Sequence, residues 1–89
     1  MKKVSIFGVT GSIGSNASKI ILNNFSQYRV MVLSANKNYK KLAFYAKKLK
    51  SKYAVIKDKS YYNLLKSELS GSKVKCLSGE DQLISLASL

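Results

Sequence analysis

The residues best placed to do chemistry in this chain are Gly8-Val9-Thr10-Gly11-Ser12-Ile13-Gly14. Glycines at i, i+3 and i+6 let a backbone turn sharply and let a bulky group approach it. Where such a turn opens a helix, unpaired N–H groups and the positive dipole end favour a phosphate. Thr10 and Ser12 add hydroxyl donors beside those amides. The chemistry implied is the holding of a pyrophosphate by Thr10, Gly11, Ser12 and Ile13, with Gly8 and Gly14 serving the turn and the helix–strand contact. Glycine spacing alone is a weak signal, and it gains weight only between a strand and a helix. Val4-Ser5-Ile6-Phe7 reads as a buried strand before it. A helix from about Ser12 to Asn24 follows, with Ile13, Ala17, Ile20, Ile21 and Asn24 at helical spacing and Thr10 or Ser12 as its cap.

A second set of residues lies after the next apolar run, Arg29-Val30-Met31-Val32-Leu33-Ser34. In a dinucleotide fold the end of that strand meets the adenosine ribose. An NAD site places Asp or Glu there, on the ribose 2′-hydroxyl. Here the segment is Asn36-Lys37-Asn38, and no acid occurs between Met1 and Lys57. A carboxylate would repel a 2′-phosphate, whereas Lys37 attracts one, with Lys40 and Lys41 a turn further on. The residues favour NADPH over NADH.

Catalytic groups are scarce. The chain has no histidine and four carboxylates, Asp58, Glu68, Glu80 and Asp81. Glu80-Asp81 fits a helix start, where the dipole favours acids. Without histidine no Ser–His or Cys–His pair can form, and no carboxylates stand at metal-ligand spacing. Neither a catalytic nor a metal residue is assigned.

The elements that would position these residues alternate. A strand at Lys3–Phe7, the first helix, a loop at Phe25–Tyr28 and a strand at Arg29–Ser34 come first. A second helix over Tyr39–Lys50 follows, with Asn38 as its cap. Its Leu42, Tyr45, Ala46 and Leu49 face inward, and Lys40, Lys41, Lys47 and Lys48 outward. A third strand at Tyr53–Ile56 precedes a short helix from Ser60 that carries Tyr61, Leu64, Leu65 and Leu69 and stops at Gly71. Val74–Leu77 is a weaker edge strand, and a last helix runs from Gly79 through Leu83, Ile84 and Ala87. Alternation of this kind predicts an α/β, Rossmann-like parallel sheet of about four strands with flanking helices. The uninterrupted apolar second strand predicts a sheet covered on both faces. With no later strand to close the far side of strand one, the fold reads as truncated, one incomplete nucleotide-binding domain over residues 1–89.

Composition sets the outer limits. Eighty-nine residues make one small domain, and 46% hydrophobic residues argue against disorder. No apolar run approaches the ~20 residues of a membrane span, and no leader precedes the first strand. A lone cysteine, Cys76, fits a small buried hydrophobe in a reducing, cytoplasmic setting. The net charge of +12 invites a nucleic-acid reading. Fifteen of the sixteen basic residues are Lys, however, and only Arg29 offers the fork used to read bases and phosphates. The lysines are also spread over several helices, without an aromatic stacking platform.

Thr10-Gly11-Ser12-Ile13-Gly14, the Lys37-Asn38 pair and the spacing of the later segments resemble the 1-deoxy-D-xylulose 5-phosphate reductoisomerase family. The resemblance runs the length of the chain but covers only the first part of such an enzyme. Asn36 departs from the glycine or alanine usual there. The resemblance implies an NADPH-dependent oxidoreductase of non-mevalonate isoprenoid synthesis. The complete enzyme converts 1-deoxy-D-xylulose 5-phosphate, a small phosphorylated sugar, to 2-C-methyl-D-erythritol 4-phosphate. It also implies a divalent metal, Mg or Mn, held by acids of a later domain, and a homodimer. The alternatives are another NADP-linked reductase with a G-x-x-G-x-x-G loop and a small basic nucleic-acid-binding module.

Overall fold

The computed structural model describes residues 2–9 and 11–86, with Ser12 and Ile13 described through their backbone alone. Thr10 and Ala87 therefore lie outside the described residues. The elements are β1 (Lys2–Ile6), α1 (Ser12–Asn23), a 3-10 turn at Phe25–Gln27, β2 (Tyr28–Ala35), α2 (Tyr39–Leu49), β3 (Tyr53–Ile56), a 3-10 turn at Lys59–Tyr61, α3 (Tyr62–Glu68), β4 (Lys75–Ser78) and α4 (Glu80–Leu86). All three strand pairings are parallel and the order is β1-β2-β3-β4. Parallel neighbours put the carboxyl ends of all the strands at one end of the sheet. Both nucleotide segments expected from the sequence follow such ends.

One core joins the sheet to a helix layer. Leu33 and Ala35 of β2, Ala54 and Ile56 of β3, and Leu42, Ala46 and Leu49 of α2 share it with Ile21 of α1 and Leu65 of α3. α1 packs on α2, and α2 on α3. Along α2 the inward and outward residues fall as the 3.6-residue period requires, with Tyr45 buried and Lys40, Lys41, Lys47 and Lys48 exposed. Val4 stands opposite Val30, but Ser5 stands opposite Val32, so Met31 is an extra residue in β2. This irregularity lets both Val30 and Leu33 enter the core although they are three positions apart, an odd offset that would otherwise put them on opposite faces. On the opposite face Val32 and Val55 are also fully buried, in keeping with a central strand covered on both sides.

Other expectations need correction. β1 is not buried along its length: Ile6 is covered, Lys3 and Ser5 are exposed, and Phe7, just beyond the strand, is 48% exposed. The reason is topological, since β1 pairs with β2 alone and forms a sheet edge. In α1, Ile20 is 59% exposed, whereas Gly14, Ser15, Ser18 and Ile21 are buried. Three of those four are small, and that face lets the helix sit close to the turn it follows. Leu64 and Ile84 likewise face outward, while Leu65 and Leu69 enter the core. α3 begins at Tyr62 because Asp58 caps a preceding 3-10 turn, its carboxylate accepting from the Ser60 amide at 3.0 Å. Cys76 is only half-buried, and burial pushes its thiol above the usual range, with Lys66 opposing. It packs as a protonated small hydrophobe.

Candidate functional site

The glycine turn hangs from the end of β2. The Gly8 amide donates to Ser34 Oγ at 3.0 Å, and the Val9 amide donates to the Ser34 carbonyl at 2.8 Å. The Gly11 amide donates back to the Gly8 carbonyl at 3.1 Å, and the Ser15 amide donates to the Gly11 carbonyl at 2.8 Å, starting α1. Ser15 Oγ donates to the Val9 carbonyl at 3.2 Å, tying helix to turn. Ser34 was read only as the end of a strand. A hydroxyl closing an otherwise apolar run was the available sign that this end must meet backbone. Ser34→Ala leaves a partly buried Gly8 amide unpaired and is expected to cost about 1–2 kcal/mol in chemical denaturation.

The three glycines of the turn have different reasons to be there. Gly8 has φ +74°, where a side chain is strained. A Cβ on Gly14 would stand 2.2 Å from the Gly8 carbonyl oxygen and 2.8 Å from Val9 Cα. Gly11 has φ −75° and ψ 167°, ordinary extended backbone. A Cβ there would meet one atom, the Gly8 carbonyl oxygen at 3.5 Å, an ordinary contact. The fold demands glycine at 8 and 14 and leaves 11 free. Space at Gly11 faces the start of a helix.

The N-cap of α1 is Gly11, which has no side chain to offer the first turn, and that turn holds no acid. Of the two expected caps, Ser12 is instead the first residue of the helix, and Thr10 lies outside the described residues. By contrast, Asn38 caps α2, its Oδ1 accepting from the Lys41 amide at 3.2 Å, and Glu80 and Asp81 occupy the first turn of α4. A glycine at the N-cap, the absence of a carboxylate from the first turn and the space at Gly11 together fit a pyrophosphate.

Asn36, Lys37 and Asn38 are exposed at the same end of the sheet, beyond buried Ala35. Their backbone is pinned by the Asp58 amide donating to the Asn36 carbonyl at 3.1 Å and the Tyr39 amide donating to the Lys37 carbonyl at 2.8 Å. Asn38 Oδ1 is taken up by the helix cap, leaving its amide nitrogen to donate. The rings of Tyr39 and Tyr61 stack beside this segment, 5.8 Å apart at 26°.

One acid missed by the sequence reading belongs here. Asp58 follows β3 and is distant from the glycine turn in sequence, yet its charge interacts with Lys37. Its carboxyl is held below the ordinary 3.8, first by the Ser60 hydroxyl at 2.6 Å and then by the Ser60 amide, with desolvation opposing and Lys37 adding least. A lowered folded-state value means the stabilisation is present above the unfolded value and is lost as pH falls through the folded one. At neutral pH Asp58 is therefore ionised beside the lysine expected to meet a phosphate.

No group of three His, Cys, Asp or Glu residues among the described residues could hold a metal ion. Glu80 pairs with Lys57 at 3.9 Å, both exposed, a contact of little energetic weight.

A parallel sheet, a glycine turn leading from its first strand into a helix and a lysine after β2 give the architecture of a Rossmann-like α/β domain. The chain belongs to the 1-deoxy-D-xylulose 5-phosphate reductoisomerase family, whose sequence profile matches residues 4–89. It is 44% identical to the reductoisomerase of Zymomonas mobilis over 97% of this chain and 22% of that protein. It is 45% identical to that of Wolbachia pipientis from Culex pipiens, over 100% of this chain and 23% of the relative. Among solved structures it resembles the Zymomonas mobilis enzyme in complex with NADPH, with a TM-score of 0.95. It also resembles a reductoisomerase in complex with NADPH, fosmidomycin and magnesium, at 28% identity and a TM-score of 0.90. The chain spans between a fifth and a quarter of the length of these relatives.

Proposed function

We propose that this chain is the NADPH-binding amino-terminal portion of a 1-deoxy-D-xylulose 5-phosphate reductoisomerase. The observation that carries the reading is Gly11: a glycine the fold does not require, at the N-cap of α1, in a chain whose structural relative from Zymomonas mobilis holds NADPH. Thr10, Gly11, Ser12 and Ile13 hold the pyrophosphate through backbone amides and hydroxyls. Asn36, Lys37 and Asn38 face the adenosine ribose and its 2′-phosphate.

NADPH, when bound, supplies the hydride, and this chain's residues fix where the cofactor lies. The complete enzyme rearranges 1-deoxy-D-xylulose 5-phosphate and reduces the resulting aldehyde to 2-C-methyl-D-erythritol 4-phosphate. Its divalent metal and sugar phosphate are held outside residues 1–89, its subunits pair as a homodimer, and it works in the cytoplasm. No helix among the described residues is long and apolar enough to cross a membrane. On this reading the 89-residue chain binds cofactor and turns over no substrate.

Lys37→Glu tests the assignment. With the charge reversed beside Asp58, NADPH affinity is expected to fall by about 100-fold and NADH affinity by less than about threefold. Fluorescence titration with both nucleotides reads the ratio. An equal loss for both would remove Lys37 from the 2′-phosphate site.

A further inference from the structure

The cofactor reading brings the adenosine ribose to Asn36-Lys37-Asn38, after β2, and leaves the base still to be housed. In the sheet β2 has two neighbours, β1 and β3. The end of β1 leads into the glycine turn, where the pyrophosphate lies on that reading. The base stands on the other side of the ribose and is directed towards the residues that follow β3.

Those residues are fixed to the ribose segment. The Lys57 amide donates to the Ala35 carbonyl at 2.9 Å, and the Asp58 amide to the Asn36 carbonyl at 3.1 Å. Asp58 then closes the 3-10 turn at Lys59–Tyr61. Its carbonyl accepts from the Tyr61 amide at 3.1 Å, and its Oδ1 accepts from both the amide and the hydroxyl of Ser60. Capping accounts for Oδ1 alone. Oδ2 takes no hydrogen bond from any described residue, and the side chain is only partly buried. Ionised at neutral pH, the carboxylate is an acceptor only.

The same turn presents an aromatic surface. Tyr61, its last residue, stacks on Tyr39, the first residue of α2, with ring centroids 5.8 Å apart. Both rings rest against the core, and both keep part of their surface open to solvent. The pair thus bridges the segments that follow β2 and β3. Aromatic side chains stack on the faces of bases. Adenine carries an amine donor at its six-position, where guanine and hypoxanthine carry an oxygen. An ionised carboxylate accepts from the first and repels the second.

We infer that Asp58 and the Tyr39–Tyr61 pair hold the cofactor's adenine, Asp58 Oδ2 accepting from the exocyclic amine and the tyrosine rings meeting the face of the base. The inference rests on the cofactor reading and adds to it a choice of base.

Fluorescence titration of the 89-residue chain with NADPH and with its hypoxanthine analogue, in which an oxygen replaces the amine, tests it. The parent is expected to bind NADPH about tenfold more tightly than the analogue. In Asp58→Asn that preference is expected to fall to about twofold or less, because an amide offers both an acceptor and a donor. Asparagine still caps the turn, and the ratio cancels the lost charge, which both nucleotides feel alike. Tyr61→Leu is expected to weaken both nucleotides about tenfold and to leave their ratio unchanged. A parent that binds NADPH without rejecting the analogue would overturn the inference and leave the cofactor site standing. So would an Asp58→Asn chain that keeps the preference. A parent that binds neither nucleotide would remove the cofactor site and the inference with it.

Discussion

Gly14→Val unfolds this chain or leaves it unable to form the glycine turn. A Cβ at position 14 would approach the Gly8 carbonyl oxygen to 2.2 Å, Val9 Cα to 2.8 Å and the Gly8 carbonyl carbon to 2.9 Å. All three are backbone atoms, and none can swing away as a side-chain tip could. Relief requires α1 to move off the turn, which breaks the Ser15 bonds to Val9 and Gly11 and uncovers Val9, now fully buried. Overpacking with backbone displacement costs about 3 kcal/mol or more. A domain of this size has little more than that to lose. Circular dichroism through a urea titration should show a large fall in the midpoint, with Gly14→Ala already strongly affected. A midpoint within experimental error of the parent would mean that α1 does not rest on the turn.

Gly11→Asp should do the reverse. The backbone at 11 is extended and the space beside it is open, so the side chain fits without strain. Asp is also among the best N-cap residues, and its charge suits the positive end of a helix whose N-cap is now a glycine. Stability is expected to rise by a few tenths to about 1 kcal/mol in the same denaturation experiment. Cofactor binding is expected to fall by about 100-fold or more, because the carboxylate occupies the phosphate's place and repels it. Opposite signs for stability and affinity would mark position 11 as kept for a ligand. A destabilised Gly11→Asp chain would instead place Gly11 with Gly14, as a residue the fold requires.

These two glycines show what could be read from sequence and what could not. The order of strand, glycine turn and helix was visible in the spacing of Gly8, Gly11 and Gly14 and in the apolar runs around them. So were the parallel alternation, the inward face of α2, the Asn38 cap and the acidic start of α4. Which glycine serves the fold and which serves a ligand was not visible, because that depends on atoms brought close only by tertiary packing. Ile20 misled for a related reason: hydrophobicity marks an apolar face, but α1 meets the turn through Gly14, Ser15 and Ser18, whose small size is what matters. Phe7 misled because an apolar run reads as a buried strand, although no later strand among the described residues covers that side of β1. Asp58 was missed because residues separated by a helix and a strand, here α2 and β3, become neighbours once parallel strands end at one edge of the sheet. Met31 was hidden within an unbroken apolar run, where a one-residue shift of register leaves no compositional trace.

The central claim is that the chain binds NADPH at the end of the sheet where β1 and β2 stop. Calorimetric titration of the purified chain with NADPH, NADH and a short duplex DNA, at two salt concentrations, tests it most directly. Saturable binding of NADPH is expected, with weaker binding of NADH and no DNA affinity beyond what added salt removes. DNA binding that falls steeply with salt, together with no preference between the nucleotides, would contradict it and make the net charge of +12 the functional feature of the chain.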